Sequence, residues 1–412
     1  MQTRSRVVEL MVVVCLFLPR LGTAVFAQDA KPDGIVPFRI DVPQPVLDDL
    51  QSRLKNTRFP SEIEGSGWEY GTSLSYMREL VAYWRNAYDW RTHERRLNQL
   101  PQFKTNIDGL AVHFVHQRSR VPNATPLVLI HGWPGSIMEF TKVIDRLTDP
   151  QRFDGTERDA FHVVALSLPG YGFSGKPTVP GYSPRKIAEV IAKLMARLGY
   201  ERYGAQGGDW GGLIIRQLGH VDKAHLIGLH SNMCVAVTPQ GNNPTSGVSP
   251  EESGRIEALR QRMVNEIGYQ QIQSTKPMTL GYGLNDSPVG LAAWIVEKFR
   301  MWSDSGGNVE SRFSKDDLLT NIMIYWVTES APSSIRLYYE NRIDPGITAR
   351  VDVPFACAKF PGEVFANVPR QWVEAQYNLI QYSEMTAGGH FGAFEEPVQL
   401  VEDIRKFFRR VR

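Results

Sequence analysis

The most regular feature of the chain is a series of short apolar runs between polar or glycine-rich turns. Two runs with alternating apolar positions, at residues 103–107 and 110–114, are joined by Asp108 and Gly109, a pair typical of a tight hairpin turn. Strands that alternate with helices predict an α/β fold with a mostly parallel sheet covered on both faces. The further apolar runs, most of them separated by helix-like segments, lie at residues 127–130, 161–166, 203–206, 225–229, 353–358 and 381–386.

Segments of different character flank this pattern and indicate how the chain is divided. Residues 35–122 are rich in aromatic side chains on helix-like stretches, which we interpret as packing residues of an N-terminal extension domain. Residues 232–345 form a mostly helical insertion, too long for a loop, and we predict a helical lid there. The core then consists of residues 123–231 and 346–412, which end in an amphipathic helix at residues 397–410.

The first 27 residues have the layout of a secretory signal peptide. Arg4 and Arg6 precede an apolar run at residues 10–18, and the segment closes at Ala27. A retained membrane anchor is the alternative, but a span needs about 20 uninterrupted apolar residues, and Arg20 interrupts the candidate window. We therefore expect cleavage after Ala27 and a secreted or periplasmic protein, with membrane association only if the segment is retained.

Charge and cysteine content narrow the class of ligand. The net charge is +2, and positive and negative residues are mixed without a long basic run of the kind that binds nucleic acid. A small-molecule ligand is therefore favoured. Cys234 and Cys357 lie in apolar surroundings, where a disulfide is allowed but not implied. His113 and His116 lie an odd number of positions apart on one predicted strand and so point to opposite faces, which argues against a metal site there.

The strongest chemical signal is the glycine-rich turn at residues 207–212, in which Asp209 lies between a predicted strand and an apolar helix start. Strand, sharp turn and helix make a nucleophile elbow, and small neighbours let the strand and the helix approach closely. The usual serine is replaced by a carboxylate, which attacks carbon to form an ester that water must then hydrolyse. Enzymes with this chemistry open epoxides or displace halide. Alone, the motif is equally consistent with an aspartate that caps a helix, so its partners decide.

The loop that follows the apolar run at residues 127–130 supplies a second part of the predicted site. Its residues 131–136 lead into an amphipathic segment, and Pro134 is suited to the first turn of a helix there. In hydrolases of this fold, this loop and the residue after the nucleophile each give one backbone N–H group to an oxyanion hole. We therefore predict that the backbone N–H groups of Trp133 and Trp210 form it.

A glycine pattern at residues 170–175 matches a dinucleotide-binding fingerprint. That fingerprint requires a helix that opens at the third glycine and faces the pyrophosphate. Lys176 and Pro177 prevent such a helix. The segment is therefore interpreted as a closely packed turn, and no nucleotide cofactor is predicted.

A general base and an acid that orients it are expected later in the chain than the nucleophile. His390 follows the last predicted strand, and the small residues before it leave the ring room to reach Asp209. Glu363 lies just past the strand predicted at residues 353–358, at the edge of the sheet that faces the site. Glu395 and Glu396 follow His390 too closely for this role and are assigned to the start of the last helix.

With these residues in place, the chain resembles the microsomal-type epoxide hydrolases over nearly all of its presumed mature length. The resemblance implies an α/β-hydrolase fold with an epoxide hydrolase N-terminal domain, and a function in the detoxification of aromatic hydrocarbons. It also implies that Asp209 is the nucleophile, that His390 activates the hydrolytic water and that Glu363 orients His390. The motifs that carry it are residues 88–91, 107–110, 131–135, 207–211, 272–277, 284–291 and 388–391.

The resemblance adds two lid tyrosines that spacing alone does not identify. Tyr269 and Tyr338 match the positions that donate hydrogen bonds to the epoxide oxygen in that family, and alkoxide is a poor leaving group without such a donor. Tyr339 adjoins Tyr338, so this assignment is open by one residue. Tyr282 and Tyr325 are expected to be core residues instead. Animal members of the family keep a membrane anchor, whereas this chain carries a predicted signal peptide.

The sequence therefore predicts hydrolysis of small hydrophobic epoxides to vicinal diols through an ester on Asp209, without cofactor or metal. One alternative is a haloalkane dehalogenase of the same fold, which would need halide-binding side chains. Another is a catalytically silent ligand-binding relative, which is expected to have lost some of the nucleophile, base and acid. Substrate identity, stereochemical preference and oligomeric state are left open.

Overall fold

The computed structural model of the protein describes residues 34–236, 248–365 and 368–412. The signal peptide predicted at residues 1–27 therefore lies outside the described residues. Across the described ranges, no helix combines the length and the apolar character that crossing a membrane requires.

The described strands form one sheet of nine strands in the order β1-β2-β3-β5-β4-β6-β7-β8-β9. Neighbours from β5 to β9 along this order run parallel, whereas β1 to β3 and the β3–β5 pair are antiparallel. The predicted α/β fold with a mostly parallel sheet is confirmed. The strands are β1 (Val36–Phe38), β2 (Gln102–Ile107), β3 (Leu110–Gln117), β4 (Thr125–Ile130), β5 (Phe161–Leu166), β6 (Tyr203–Gly207), β7 (Leu226–Ser231), β8 (Val351–Lys359) and β9 (Tyr377–Glu384).

Helices cover both faces of the sheet and build the insertion between β7 and β8. In the N-terminal region and the first half of the core they are α1 (Gln44–Lys55), α2 (Leu74–Asn86), α3 (Trp90–Leu97), α4 (Ile144–Thr148), α5 (Pro184–Arg197) and α6 (Trp210–Val221). In the insertion they are α7 (Pro250–Glu266), α8 (Gly268–Thr275), α9 (Pro277–Asp286), α10 (Pro288–Trp302), α11 (Lys315–Val327) and α12 (Ala331–Ile343). The last three are α13 (Arg370–Gln376), α14 (Gly392–Glu395) and α15 (Pro397–Val411).

The strands follow the apolar runs because the centre of a covered sheet has no solvent-facing side. Every residue of β5 is buried, as are the last four residues of β4. The predicted hairpin is confirmed: Ile107 pairs with Leu110, and Asp108 and Gly109 take the positive φ angles of 53° and 83° that such a turn requires. The last strand begins four residues earlier than predicted, because β9 continues its parallel pairing with β8 down to Tyr377.

The N-terminal region is joined to the core through the sheet itself. The hairpin strand β3 pairs with β5, with Phe114 opposite Leu166, so β1 to β3 extend the central sheet. The short edge strand β1 was not expected from the sequence. Trp84 and Trp90 are buried as predicted for packing residues, whereas Tyr70 is 78% exposed and that interpretation is wrong for it. It lies in a turn before α2 and reaches no core surface.

The lid helices rest on the loops at the ends of the central strands. Asn321 on α11 accepts a 2.7 Å hydrogen bond from the Ser136 hydroxyl and donates one of 2.8 Å to the carbonyl of Pro134. The buried hydroxyl of Tyr325 donates to the carbonyl of Gly135 at 2.6 Å. Tyr282, expected in the core, is instead 76% exposed on α9, because its side chain lies on the outer side of the lid.

A disulfide bond joins Cys234, just after β7, to Cys357 on β8. Both residues are buried, in agreement with the apolar surroundings seen in the sequence. The bond ties the start of the lid insertion to the strand at which the core resumes, across a sequence separation of 123 residues.

Candidate active site

Asp209 lies in the sharp turn between β6, which ends at Gly207, and α6, which begins at Trp210. Its backbone has a φ of 51° and a ψ of −126°, a strained conformation for a residue with a side chain. A Cβ atom at Gly211 would overlap the carbonyl oxygen of Ile130, so glycine is needed where the helix crosses the end of β4. The turn therefore has the geometry of the predicted nucleophile elbow, and it holds the carboxylate where β4 and β6 end.

The backbone N–H of Trp133 donates a 2.8 Å hydrogen bond to Oδ1 of Asp209. A Cβ atom at Gly132 would overlap the Asp209 side chain, so only glycine permits this approach. Trp210 opens α6 immediately after the nucleophile, but no hydrogen bond from its backbone N–H to the carboxylate is seen in the described residues. Its place in the oxyanion hole stays a prediction.

The expectation that Pro134 begins a helix is wrong. The first helical residues after it form a short 3-10 turn at Ile137–Phe140, and α4 starts only at Ile144. The carbonyl groups of Pro134 and Gly135 accept hydrogen bonds from lid side chains rather than from a following helical turn. The loop is therefore held in an irregular shape by the lid.

His390 lies between two carboxylates. Its Nε2 atom is 3.3 Å from Oδ2 of Asp209, and its Nδ1 atom is 3.0 and 3.2 Å from the two carboxylate oxygens of Glu363. Both the His390 and the Glu363 side chains are only 2% exposed. Burial alone lowers the pKa of His390, but Glu363 and Asp209 outweigh it and raise the pKa well above the ordinary value. With Asp209 ionised, the imidazole is therefore held in its charged form.

Backbone contacts from three different segments hold the His390 loop. The N–H of His390 donates to the carbonyl of Trp302 in the lid at 2.9 Å, and its own carbonyl accepts from Nδ2 of Asn232 at 3.2 Å. Gly362, next to Glu363, pairs with Gly389 in an isolated parallel bridge. The Asn232 contact joins residues 158 positions apart, so no local pattern in the sequence marks it.

A cluster of charged groups fixes the same loop from the lid side. Asp304 accepts the N–H of Gly388 at 3.0 Å and forms a 2.7 Å ion pair with Arg312. Glu395 accepts the N–H groups of Asp304 at 2.8 Å and Phe391 at 3.0 Å. Burial raises the pKa of Glu395 to about 7, although both N–H groups favour the carboxylate. Nothing local in the sequence marks the contacts of Asp304 with Gly388 and Glu395, because these partners lie 84 and 91 residues apart.

Tyr269 on α8 and Tyr338 on α12 are buried side by side, with ring centroids 5.7 Å apart. The Tyr269 ring stacks on Trp133 at 5.4 Å, and the Tyr338 ring meets the edge of Trp210 at 4.6 Å. Burial, followed by the negative charge of Asp209, raises the pKa of Tyr269 well above its ordinary value. Burial also raises the pKa of Tyr338 far above the ordinary value, with Tyr269 and Asp209 as further causes. Both phenols therefore stay protonated.

The two tyrosine candidates at the end of the lid differ sharply in environment. The hydroxyl of Tyr338 is buried and has no hydrogen-bond partner among the described residues, so it is free to donate to a bound molecule. Tyr339 is 37% exposed, and the guanidinium of Arg342 lies 5.0 Å from its ring centroid. The geometry therefore favours Tyr338 as the second donor.

The remaining histidines near the site have structural contacts. His131 is buried, which lowers its pKa to about 4, and its Nε2 accepts the N–H of Leu168. His113 contacts Ser167 and Gln102 through its two ring nitrogens. In the described part of the chain, no group of three or more His, Cys, Asp or Glu side chains is arranged to hold a metal ion.

Comparison with known proteins gives consistent matches along the chain. Residues 35–140 match the model of the epoxide hydrolase N terminus, and residues 125–259 match that of the alpha/beta hydrolase fold. Epoxide hydrolase 1 of Sus scrofa is 40% identical, and the alignment covers 92% of this chain and 89% of that protein.

Two solved structures share the fold over nearly their whole length. The juvenile hormone epoxide hydrolase of the silkworm Bombyx mori is 36% identical with a TM-score of 0.84, covering 92% of this chain and 95% of that one. The Aspergillus niger epoxide hydrolase is 32% identical with a TM-score of 0.83, covering 93% and 97%. Together with the α/β-hydrolase architecture, these matches show that the chain belongs to the epoxide hydrolase family.

Proposed function

We propose that this enzyme opens its epoxide in two half-reactions centred on Asp209. In the first, a carboxylate oxygen of Asp209 attacks a ring carbon, the carbon–oxygen bond of the ring breaks, and the released oxygen takes a proton from a lid tyrosine. In the second, His390 takes a proton from water, and the hydroxide attacks the ester carbonyl carbon and releases the diol. The protons balance when the charged imidazole of the resting enzyme first passes its proton to the tyrosinate, the neutral ring then takes one from water, and the departing alkoxide takes the proton of the added hydroxyl, so the sum is epoxide plus water to diol.

The observation that carries this proposal is the placement of one carboxylate between a histidine and two phenols. Oδ2 of Asp209 lies 3.3 Å from His390, while Tyr269 and Tyr338 are near enough for the Asp209 charge to raise the pKa values of both phenols. A nucleophile and a proton donor on the two sides of a small ring are what epoxide opening requires. The hydroxyl of Tyr338 has no hydrogen-bond partner among the described residues, which supports its role as a donor.

The protonation of His390 is expected to change during the reaction. Before attack, the carboxylates of Asp209 and Glu363 both hold the imidazole charged through its raised pKa. Once Asp209 is an uncharged ester, one of these anions is gone and the pKa of His390 falls, so the imidazole gives its proton to the tyrosinate left by ring opening. The neutral ring can then accept a proton from water. The base is therefore activated by formation of the ester, and Glu363 remains to orient it.

The wall around Asp209 supports a small hydrophobic epoxide as substrate. Trp210 follows the nucleophile in the chain, the backbone N–H of Trp133 donates to it, and both indoles pack against the lid tyrosines. Trp302 and Phe365 line the side next to His390, at 5.2 and 5.4 Å from its ring. Aromatic surroundings favour an apolar substrate body, while the few polar groups set its orientation.

The test of this proposal is a screen of aryl and aliphatic epoxides against haloalkanes of matched size. Epoxide turnover with no halide release is expected. The alternative of a dehalogenase has one observation in its favour, because the indole N–H of Trp210 is buried without a partner among the described residues and is a donor that halide would accept. Halide release at a rate comparable with epoxide turnover would contradict the proposal, and binding without turnover of either class would favour the silent relative.

We also propose that the mature protein is exported. The buried Cys234–Cys357 disulfide supports this, since such bonds persist in oxidising compartments and are rare in the cytosol. The signal-like pattern of residues 1–27 supports it independently.

A further inference from the structure

A buried lysine lies behind the first lid tyrosine. Lys298, on α10, has a side chain that is 7% exposed, and its ammonium nitrogen is 4.8 Å from the ring centroid of Tyr269. The same nitrogen is 5.7 Å from the ring centroid of Trp302. A cation over an aromatic ring is attracted by the electron density of its face, and the attraction is strongest where water is excluded. Lys298 has no place in the two half-reactions described above.

Two carboxylates accompany this lysine. Glu266, at the end of α7, places a carboxylate oxygen 3.5 Å from the ammonium and also accepts the indole N–H of Trp302 at 3.3 Å. Glu297 lies 2.5 Å from the ammonium on its more exposed side. Since the Glu266 side chain is 7% exposed, its charge reaches Tyr269 with little screening by water. It is one of the charges that raise the pKa of Tyr269, after burial and Asp209.

The sign of each charge matters for ring opening. As the epoxide oxygen leaves, negative charge grows on it and, through the shared proton, on the phenol oxygen of its donor. A nearby carboxylate opposes that growth, and a nearby ammonium favours it. Lys298, whose ammonium lies over the Tyr269 ring, therefore offsets the charge of Glu266 on this phenol.

We propose that Lys298 is a positioning residue that acts through Tyr269, strengthening this phenol as a proton donor during ring opening. The inference rests on the proposed role of Tyr269 as a donor. A purely structural role for Lys298, as an ion pair that joins α7 to α10, makes different predictions. If the role is purely structural, replacement of Lys298 affects folding and both half-reactions alike, and the effect does not depend on the Tyr269 hydroxyl.

Ester formation and ester hydrolysis are measured separately by rapid mixing of the enzyme with an epoxide that it hydrolyses. The signal is the fluorescence of the tryptophans beside Asp209. Lys298→Met is expected to slow ester formation by at least about tenfold, because Glu266 is left uncompensated. Glu266→Gln is expected to accelerate the same step, because the opposing charge is removed while an acceptor for the Trp302 indole remains. Both substitutions break the same ion pair, so a loss of structure would slow ester formation in both variants. A slower rate in one and a faster rate in the other therefore cannot come from loss of structure.

A matched control is Lys104→Met. Lys104 also places its ammonium over a ring, 4.0 Å from the centroid of Phe38, on the antiparallel edge of the sheet. Both steps are expected to keep their wild-type rates in this variant. Should Lys298→Met fail to fold, Glu266→Gln and the double variant of Lys298→Met with Glu266→Gln decide instead. The double variant should form ester at a rate close to the wild type, and a Glu266→Gln rate at or below the wild type would overturn the inference.

The Tyr269→Phe background separates the inference from the proposal on which it rests. If the lysine acts through the phenol, adding Lys298→Met to Tyr269→Phe should change ester formation by less than about twofold, since the two substitutions remove the same contribution. If Tyr269→Phe slows ester formation but Lys298→Met slows it equally with and without the hydroxyl, the inference on Lys298 fails alone. If Tyr269→Phe forms ester at the wild-type rate, the donor assignment itself fails.

Discussion

The backbone N–H of Trp133 binds Oδ1 of Asp209 at 2.8 Å and so makes the two carboxylate oxygens inequivalent. Oδ2 is left on the side of His390, 3.3 Å from its Nε2 atom. We infer that Oδ2 attacks the epoxide and that Oδ1 becomes the carbonyl oxygen of the ester. When water adds to that ester, the negative charge develops on Oδ1, where the Trp133 amide already lies to stabilise it.

Loss of either lid phenol should slow turnover without unfolding the protein. Tyr269→Phe and Tyr338→Phe are each expected to lower epoxide turnover by at least about tenfold, because a positioned proton donor is removed. The double variant should be nearly inactive. Because the Tyr338 hydroxyl has no partner among the described residues, its removal leaves no buried group unpaired there, and the melting temperature should change little.

The control for this experiment is Tyr339→Phe, which removes a phenol from the outer side of the same helix. It should turn over epoxide at the wild-type rate. Full activity in both Tyr269→Phe and Tyr338→Phe, together with a loss in Tyr339→Phe, would reverse the donor assignment.

Replacement of His390 by Gln should separate the two half-reactions. A carboxylate needs no base to attack, so the ester still forms, whereas its hydrolysis stalls without a group that takes the proton from water. Mass spectrometry after addition of substrate should show the enzyme heavier by one epoxide, with the adduct on the peptide that contains Asp209. An unmodified variant, tested on an epoxide that the wild type turns over, would argue for direct attack by water.

The carboxyl group of Glu395 should make stability depend on pH. Its pKa is raised to about 7 in the folded protein, so the neutral acid is favoured there, and its contribution is complete below the unfolded pKa of about 4.5 and lost as the pH rises through about 7. Glu395→Gln does not titrate. Its unfolding free energy relative to the wild type should therefore rise between pH 4.5 and 7.5, by up to about 3 kcal/mol.

Denaturant unfolding of the wild type and Glu395→Gln at the two pH values measures this difference. Glu402→Gln makes the same chemical change at an exposed position of α15 and is expected to change stability little at either pH. A Glu395→Gln difference that stays constant with pH, or that falls as the pH rises, would show that the sign is wrong.

The sheet and the order of the site residues could be predicted from the sequence for a physical reason. Central strands are buried on both faces and so appear as apolar runs, and the elbow at Asp209 has glycines that its close packing requires. The positions of His390 and Glu363 followed from the order of strand ends. The roles of these residues remain predictions, although the structure brings them into contact.

The rest of the site depends on contacts between distant segments. Strand β1 has only three residues, one of them Pro37, and shows no pattern. Asp304 accepts a hydrogen bond from the His390 loop, and the ammonium of Lys298 lies over the ring of Tyr269. Both contacts join residues that are far apart in sequence and carry no local signal. The same is true of the contacts by which Asn321 keeps the Trp133 loop irregular, which is why the helix expected at Pro134 does not form.

Export can be tested on the protein produced in a secretion-competent host. The mature chain is expected to begin at Gln28, and its intact mass should rise by about two mass units on reduction, as the Cys234–Cys357 bond opens. The soluble fraction should contain it. A protein that retains Met1 to Ala27 and sediments with membranes would support the anchor instead, while the proposed chemistry would stand.

The central claim, that Asp209 gives one of its own oxygens to the product, is tested most directly by isotope labelling in a single turnover. Wild-type enzyme is mixed in oxygen-18 water with a smaller amount of an epoxide that it hydrolyses. The diol and the peptide that contains Asp209 are then analysed by mass spectrometry. The account predicts a mostly unlabelled diol and one heavy oxygen in Asp209, because water attacks the ester and not the epoxide. A labelled diol with an unchanged Asp209 in that first turnover would contradict it.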